Sequence, residues 1–476
     1  MHEESAPEAQ PPAGEDTGLV EYAAAARRSR GEVHAWIALL LFVVGIFALQ
    51  RAAPPPVLDA ETSGSMDFRI RSRYLLGLHH LFGGLSLGGF SQDQLLQQLE
   101  DGVRTADEAV CMVPVLAEIS GGEAALARIA KLRAREDLDD ADLEDLSILE
   151  GIFNAEVLEA SGAALAAFRE RRTDFADLAL SYNLAPDDPE RMRVLARAQR
   201  MAAGMVGVGM SVLGGVLLGL VLLGAAMVMV RQGRWRPAYP DSVRPERPED
   251  GEVGDGRHIY VWTLVLFMLS TIFCGLLGAV VAEQAGMAAG LAMNVLALPV
   301  LLWPLLRGIS KERLYRAYGW HKGAGVWQEI GAGIAAYLAG LPILASSLLI
   351  SMGLSQLVQE TPSHPLVDGI VGASAIEMAA IFLLAAVWAP VAEEAIFRGG
   401  FYHYLRGRLG MIGAALASSI VFALIHPQGI VGVPPLVALA MIFAVVREWR
   451  GSLIGPMAIH AVHNGALTTV MFLMLT

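Results

Sequence analysis

Three polar groups interrupt the most apolar part of this chain, near its C-terminus. They are Glu393-Glu394-Ala395-Ile396-Phe397-Arg398, Phe422-Ala423-Leu424-Ile425-His426 and His460-Ala461-Val462-His463-Asn464. Charged and strongly polar side chains inside apolar helices are costly, so they are read first as functional. On a helix, Glu394 and Arg398 stand four residues apart on one face and can neutralise each other. Glu393 then lies about 100° round the helix, a carboxylate with no local partner, able to act as a base or an acid. His460 and Asn464 are also four apart. They offer an imidazole and an amide on one face, both able to donate hydrogen bonds to a developing oxyanion.

Such groups work together only if their helices bring them to one level. If Arg406, Gly410 and Gly451 mark the inner boundary of a membrane, a rise of about 1.5 Å per residue sets the depths. Glu393 then lies roughly 20 Å deep, His426 roughly 24 Å, His460 roughly 14 Å and Asn464 roughly 20 Å. Three helices deliver polar groups to a similar layer of an apolar core about 30 Å thick. Pro390 is expected to kink the helix that carries Glu393.

The rest of the chain fits that setting. Hydrophobic residues make up 54 % and charged residues only 17 % of the 476, with a mean hydropathy of +0.48. A soluble chain carries about 25 % charge. The apolar residues lie in runs long enough to span a bilayer. The expected fold is an all-α polytopic membrane protein of about nine transmembrane helices, with a helical extra-membrane domain between the first and second. Residues 1–34, rich in Ala, Pro and Glu, read as a disordered cytoplasmic tail. Residues 35–50 follow Arg27, Arg28 and Arg30 and read as an uncleaved anchor helix with its N-terminus inside. Residues 51–201 read as an acidic all-helical domain, outside the cytoplasm and a candidate surface for a protein partner. In it the run from Ser91 starts like a capped amphipathic helix and stops at Gly102, and Leu143, Leu146, Leu149 and Phe153 recur at helical spacing. Residues 202–230 read as the second span and 231–258 as a cytoplasmic linker. Residues 259–476 read as a seven-helix domain, with apolar runs near 259–282, 286–306, 325–353, 373–405, 410–427, 434–448 and 452–475. Basic residues follow every second run, as alternating hairpins require. That pattern puts the C-terminus outside; the expected location is the plasma (inner) membrane of a bacterial cell.

The three polar groups, in this order, resemble the signature of the CPBP intramembrane proteases, which include the CAAX prenyl endopeptidases of the Abi group and bacteriocin-processing homologues. The elements are Glu393, Glu394 and Arg398; Phe422 and His426; and His460 and Asn464. Phe397-Arg398-Gly399 and the Gly-Ser-Leu-Ile-Gly-Pro run before His460 add to the likeness, which covers about residues 325–476. The resemblance implies a membrane endopeptidase in which Glu393 and His426 activate water and His460 and Asn464 stabilise the oxyanion. Glu394, Arg398 and Phe422 would support them. The family has been viewed both as glutamate-type and as metal-dependent, and the residues allow either. The expected reading needs no cofactor. In the zinc alternative Glu393, His426 and His460 would be the ligands, although no His-Glu-x-x-His is present and Asn464 would be a poor ligand.

Other functions are weighed against this. A net charge of −13 argues against nucleic acid as a partner, leaving the lipid bilayer and a peptide or membrane-protein substrate. Serine and aspartyl proteases lack their motifs here. A transporter would use the polar cluster as an ion path, but no internal repeat supports one. A catalytically silent scaffold is the third alternative. His463 reads as structural, Arg406, Arg408, Arg447 and Arg450 as topology anchors, and the acidic stretch 136–150 as a solvated helix face. His79 and His80 have no ligand-like neighbours in sequence. Cys111 and Cys274 are not expected to pair.

Overall fold

The computed structural model describes residues 31–46, 48, 60–82, 92–155, 161–235, 238, 258–358, 369–370 and 372–475. Most of the tail at 1–34 and of the linker at 231–258 lies outside the described residues. Among these residues the regular elements are all helical. We label them α1 (Gly31–Ile46), α2 (Ala60–Phe82), α3 (Gln92–Asp101), α4 (Ala106–Ser120), α5 (Gly122–Leu132), α6 (Asp140–Phe153), α7 (Gly162–Arg172), α8 (Asp174–Leu180), α9 (Pro189–Arg231) and α10 (His258–Ala285). There follow α11 (Met287–Leu306), α12 (Lys311–Tyr318), α13 (Val326–Val358), α14 (Ala375–Leu424), α15 (Gly429–Arg450) and α16 (Ile454–Leu475). Two compact units result: Met1–Ala53 with Gly215–Thr469, and Pro54–Gly214 with Val470–Thr476.

Among the described residues, seven helices are long and apolar enough to cross a membrane: α9, α10, α11, α13, α14, α15 and α16. Large apolar side chains on them face outward, Val221 being 69 % and Leu349 68 % exposed, as expected of surfaces that meet lipid rather than water. The protein is an integral membrane protein. One element differs from the sequence reading. α1 is apolar but shorter than the roughly 20 residues of a straight crossing. The runs 373–405 and 410–427 are two helical arms joined at Gly410 (φ 68°, ψ −179°), where the chain folds back so that the Phe397 and Phe422 rings meet at 5.1 Å; α14 denotes both arms. Only glycine tolerates that backbone region without strain, and it stands at the run boundary seen in sequence.

In the first unit α15 packs along both α13 and the 402–424 stretch of α14. The basic residues at the end of α15 are more than topology anchors. Arg447 is fully buried; its guanidinium donates to the carbonyls of Ala317 (3.0 Å), Arg398 (3.3 Å) and Gly451. Arg450 pairs with buried Glu329 at 2.7 and 2.8 Å. Arg406 pairs with buried Glu448 at 2.9 Å, which also accepts from the Tyr402 hydroxyl at 2.7 Å. A cation drawn out of water must find acceptors, and each of these finds them on another helix.

The second unit is built of short helices. Capping boxes start α4 at Thr105 with Glu108 and α6 at Asp139 with Asp142, satisfying backbone N–H groups that have no partner within the helix. Leu146, Leu149 and Phe153 are buried, whereas Leu143 is 37 % exposed and lies off the stripe. The acidic stretch is only partly a solvated face. Asp142 and Asp145 turn inward onto buried Arg172, with Nε of Arg172 2.6 Å from Asp145 and Nη1 2.5 Å from Asp107. Burial by itself would lower the pKa of Arg172, but its hydrogen bonds to Asp142 and Asp145 outweigh that and hold it above the ordinary value. Cys111 beside this cluster is free, and burial, helped by Asp107, pushes its thiol up to about 12. His80 stands 3.3 Å from Glu118, which Arg191 also meets at 2.9 Å.

Candidate active site

The helix that carries the glutamates is not regularly wound. In α14, π-helical turns at Leu384–Trp388 and Ala395–Phe401 flank the α-helical turns of Ala389–Glu394. In the first π stretch the N–H of Ala389 reaches the carbonyl of Leu384, five residues back. Pro390 follows; it has no N–H and so disturbs the ladder. In the second, Gly399 lies against Tyr318: a Cβ there would come within 2.9 Å of the Tyr318 ring. Isolated π turns cluster at functional sites, and Glu393 lies between two of them.

Three of the residues singled out in the sequence meet at one point. Oε2 of Glu393 is 3.9 Å from Nε2 of His426 and 3.9 Å from Nε2 of His460. The same oxygen is buried and has no hydrogen-bond partner among the described residues. A water oxygen about 2.8 Å from both Oε2 and an Nε2 fits either gap. The side chains of Glu393 and His426 are 20 % and 22 % exposed.

Neighbouring groups fix both rings. His426 Nδ1 lies 2.6 Å from the Phe422 carbonyl. A carbonyl can only accept, so Nδ1 carries a hydrogen and Nε2 faces Glu393. His460 Nδ1 is 2.9 Å from Oε1 of Glu394, and the same oxygen takes Nη1 of Arg398 at 3.1 Å. Glu394 is thus a bridge from Arg398 to His460 as well as an ion-pair partner. Arg398 also donates to the Ala440 carbonyl at 3.1 Å. Its guanidinium lies 4.7 Å from the ring centroid of Phe422 and 5.1 Å from that of Phe443, within the range of cation–π attraction. Phe422 tilts over His426 at 4.3 Å, and Phe443 stacks on His460 at 4.9 Å.

Asn464 is placed differently from the other three. Its Nδ2 donates to the Ala385 carbonyl at 2.9 Å, one end of the first π stretch. His463 points to the Tyr337 hydroxyl, 2.9 Å from Nδ1. Phe443, Ala440 and the π turns carry no motif in the sequence. Pro390 is the one local signal of the distorted helix, and Phe443 reads simply as part of an apolar run.

Two imidazole nitrogens and a carboxylate oxygen are donors that zinc accepts. With bonds of about 2.0–2.1 Å, tetrahedral ligand atoms stand roughly 3.3 Å apart, closer than the 3.9 Å separations here. Among the described residues no group of three or more His, Cys, Asp or Glu side chains is arranged to hold a metal ion.

Residues 375–466 match the family model described as type II CAAX prenyl endopeptidase Rce1-like. This stretch contains all three polar groups, and it is similar to CAAX-type proteases. Comparison with curated proteins gave no match, and comparison with solved structures gave none either.

Proposed function

We propose that the chain is an intramembrane endopeptidase that hydrolyses a peptide bond of a membrane-associated peptide or protein. What supports the reading is the meeting of one unpartnered carboxylate oxygen with two ring nitrogens, inside the stretch that resembles CAAX-type proteases. Glu393 and His426 orient a water and take its proton as it adds to the scissile carbonyl. An imidazolium at His460 donates from both nitrogens, Nδ1 to Glu394 and Nε2 to the oxyanion. The second N–H of the Asn464 amide is the other donor. Glu393 then returns the proton to the leaving amine. The family's name points to a prenylated C-terminal peptide as one substrate class; a small peptide precursor or a segment of a membrane protein suits the same chemistry. The test is peptide cleavage in reconstituted bilayers by the wild type and by Glu393→Gln. Equal cleavage by both would refute the assignment.

The reaction as proposed uses no metal. Purified protein is expected to hold no stoichiometric zinc by elemental analysis and to keep its activity after chelation. One equivalent of zinc, with activity lost on chelation and restored on readdition, would replace the glutamate mechanism by one in which Glu393, His426 and His460 are ligands.

The orientation proposed is N-terminus in the cytoplasm and C-terminus outside, in a bacterial plasma membrane. Single cysteines added at either end of a chain lacking Cys111 and Cys274 are expected to differ. The C-terminal one should react with a membrane-impermeant maleimide in intact spheroplasts, the N-terminal one only after lysis. The reverse labelling would invert the topology.

A further inference from the structure

We infer that Asn464 is a positioning residue for Glu393: it caps a carbonyl that Pro390 leaves without a donor and so holds the glutamate helix in its distorted winding. The inference rests on the peptidase reading only for the role of Glu393. In the first π stretch the N–H of Ala389 bonds to the carbonyl of Leu384. The next rung in that register would run from residue 390 to the carbonyl of Ala385. Residue 390 is proline, and it has no hydrogen to give. A carbonyl stranded in apolar surroundings carries a desolvation cost unless another donor is found. Nδ2 of Asn464, at 2.9 Å, is that donor.

The consequence reaches Glu393 through the helix. Glu393 is three residues beyond Pro390. Were the π stretch to relax to α winding, everything after it would rotate by about one residue, roughly 100°, and Oε2 would leave the two imidazoles. Asn464 sits one turn from His460 on α16, so one helix holds both the imidazole and the winding that points the carboxylate at it. The second π stretch is tied in a parallel way. There Tyr402 N–H bonds to Phe397 O, and Arg447 of α15 donates to the carbonyl of Arg398 at 3.3 Å. Glu393 therefore lies between two unwound stretches, each fastened from another helix.

The experiment is a double-mutant cycle on the full-length protein in detergent, with thermal unfolding and steady-state cleavage as readouts. Asn464→Ala is expected to lower Tm by about 3 °C or more. It should lower kcat by about 100-fold, through misplacement of Glu393 together with loss of the oxyanion donor, while leaving KM unchanged. Asn464→Gln, which keeps a donor, should recover part of both losses. In a Pro390→Ala background the Tm loss from Asn464→Ala should vanish, because a backbone N–H then serves the Ala385 carbonyl in either winding. If Asn464→Ala alone does not fold, recovery of folded protein in the double variant supports the capping role, and failure to recover it overturns it. Additive Tm losses overturn it too, as does an Asn464→Ala protein with unchanged Tm and reduced kcat, which would leave Asn464 as an oxyanion donor alone. A wild type without peptidase activity would remove the proposed function, while the Tm cycle would still decide the capping.

Discussion

Glu393→Gln is expected to lower the rate of peptide cleavage by roughly 10³-fold or more, the upper part of the range for loss of a general base. Gln keeps the size and shape of the side chain but cannot take a proton. The effect should be confined to chemistry. Oε2 of Glu393 makes no hydrogen bond among the described residues, and the imidazole nitrogens of His426 and His460 are 3.9 Å away, so little stability rests on its charge. The variant should therefore unfold at nearly the wild-type temperature and bind substrate with an unchanged KM. Single-turnover cleavage in proteoliposomes, with thermal unfolding of the same preparation, checks both halves. A variant that loses activity only because it unfolds would carry no information about the mechanism.

Arg398→Met should give the largest loss of stability among site substitutions. Glu394 is fully buried and Arg398 is 1 % exposed; they are 3.1 Å apart. Removing the guanidinium strands the Glu394 carboxylate, with His460 as its remaining partner among the described contacts. Breaking a buried pair in this way costs about 3–5 kcal/mol. Replacing both members, Glu394→Leu with Arg398→Met, removes the stranded charge and should recover most of that loss. Cleavage should not recover with it, because His460 Nδ1 then has no carboxylate to fix its ring. Stability regained without activity would separate the two tasks of Glu394. A single variant as stable as the wild type would show that the pair is solvated or neutral in the folded protein.

The residues of the polar cluster were legible because a membrane makes polarity expensive. Glu393, His426 and His460 stood out against apolar runs, and helical spacing paired Glu394 with Arg398 correctly. Their convergence could be estimated only as a common depth. That Oε2 of one glutamate faces two Nε2 atoms depends on how three helices are rotated, and spacing along each helix does not fix rotation between helices. Spacing also assigned Asn464 to the face of His460 without revealing the carbonyl it meets, since that carbonyl exists as an acceptor only where Pro390 and a π turn open the ladder. Arg447 and the Asp142–Asp145–Arg172 cluster were misread in the same way. Charge near a run's end, or along a helix, reads as solvated until a neighbouring element covers it.

The sequence by itself determined that the chain is helical, crosses a membrane and carries a constellation of polar side chains in its last hundred residues. Hydropathy and helical period are local properties, and they suffice for that. Tertiary structure decided which oxygen faces which nitrogen, which helix unwinds around Glu393, and which buried cations find acceptors. Those depend on contacts between residues dozens to hundreds of positions apart, where the cost of leaving a polar group unpaired is met or not met by another helix.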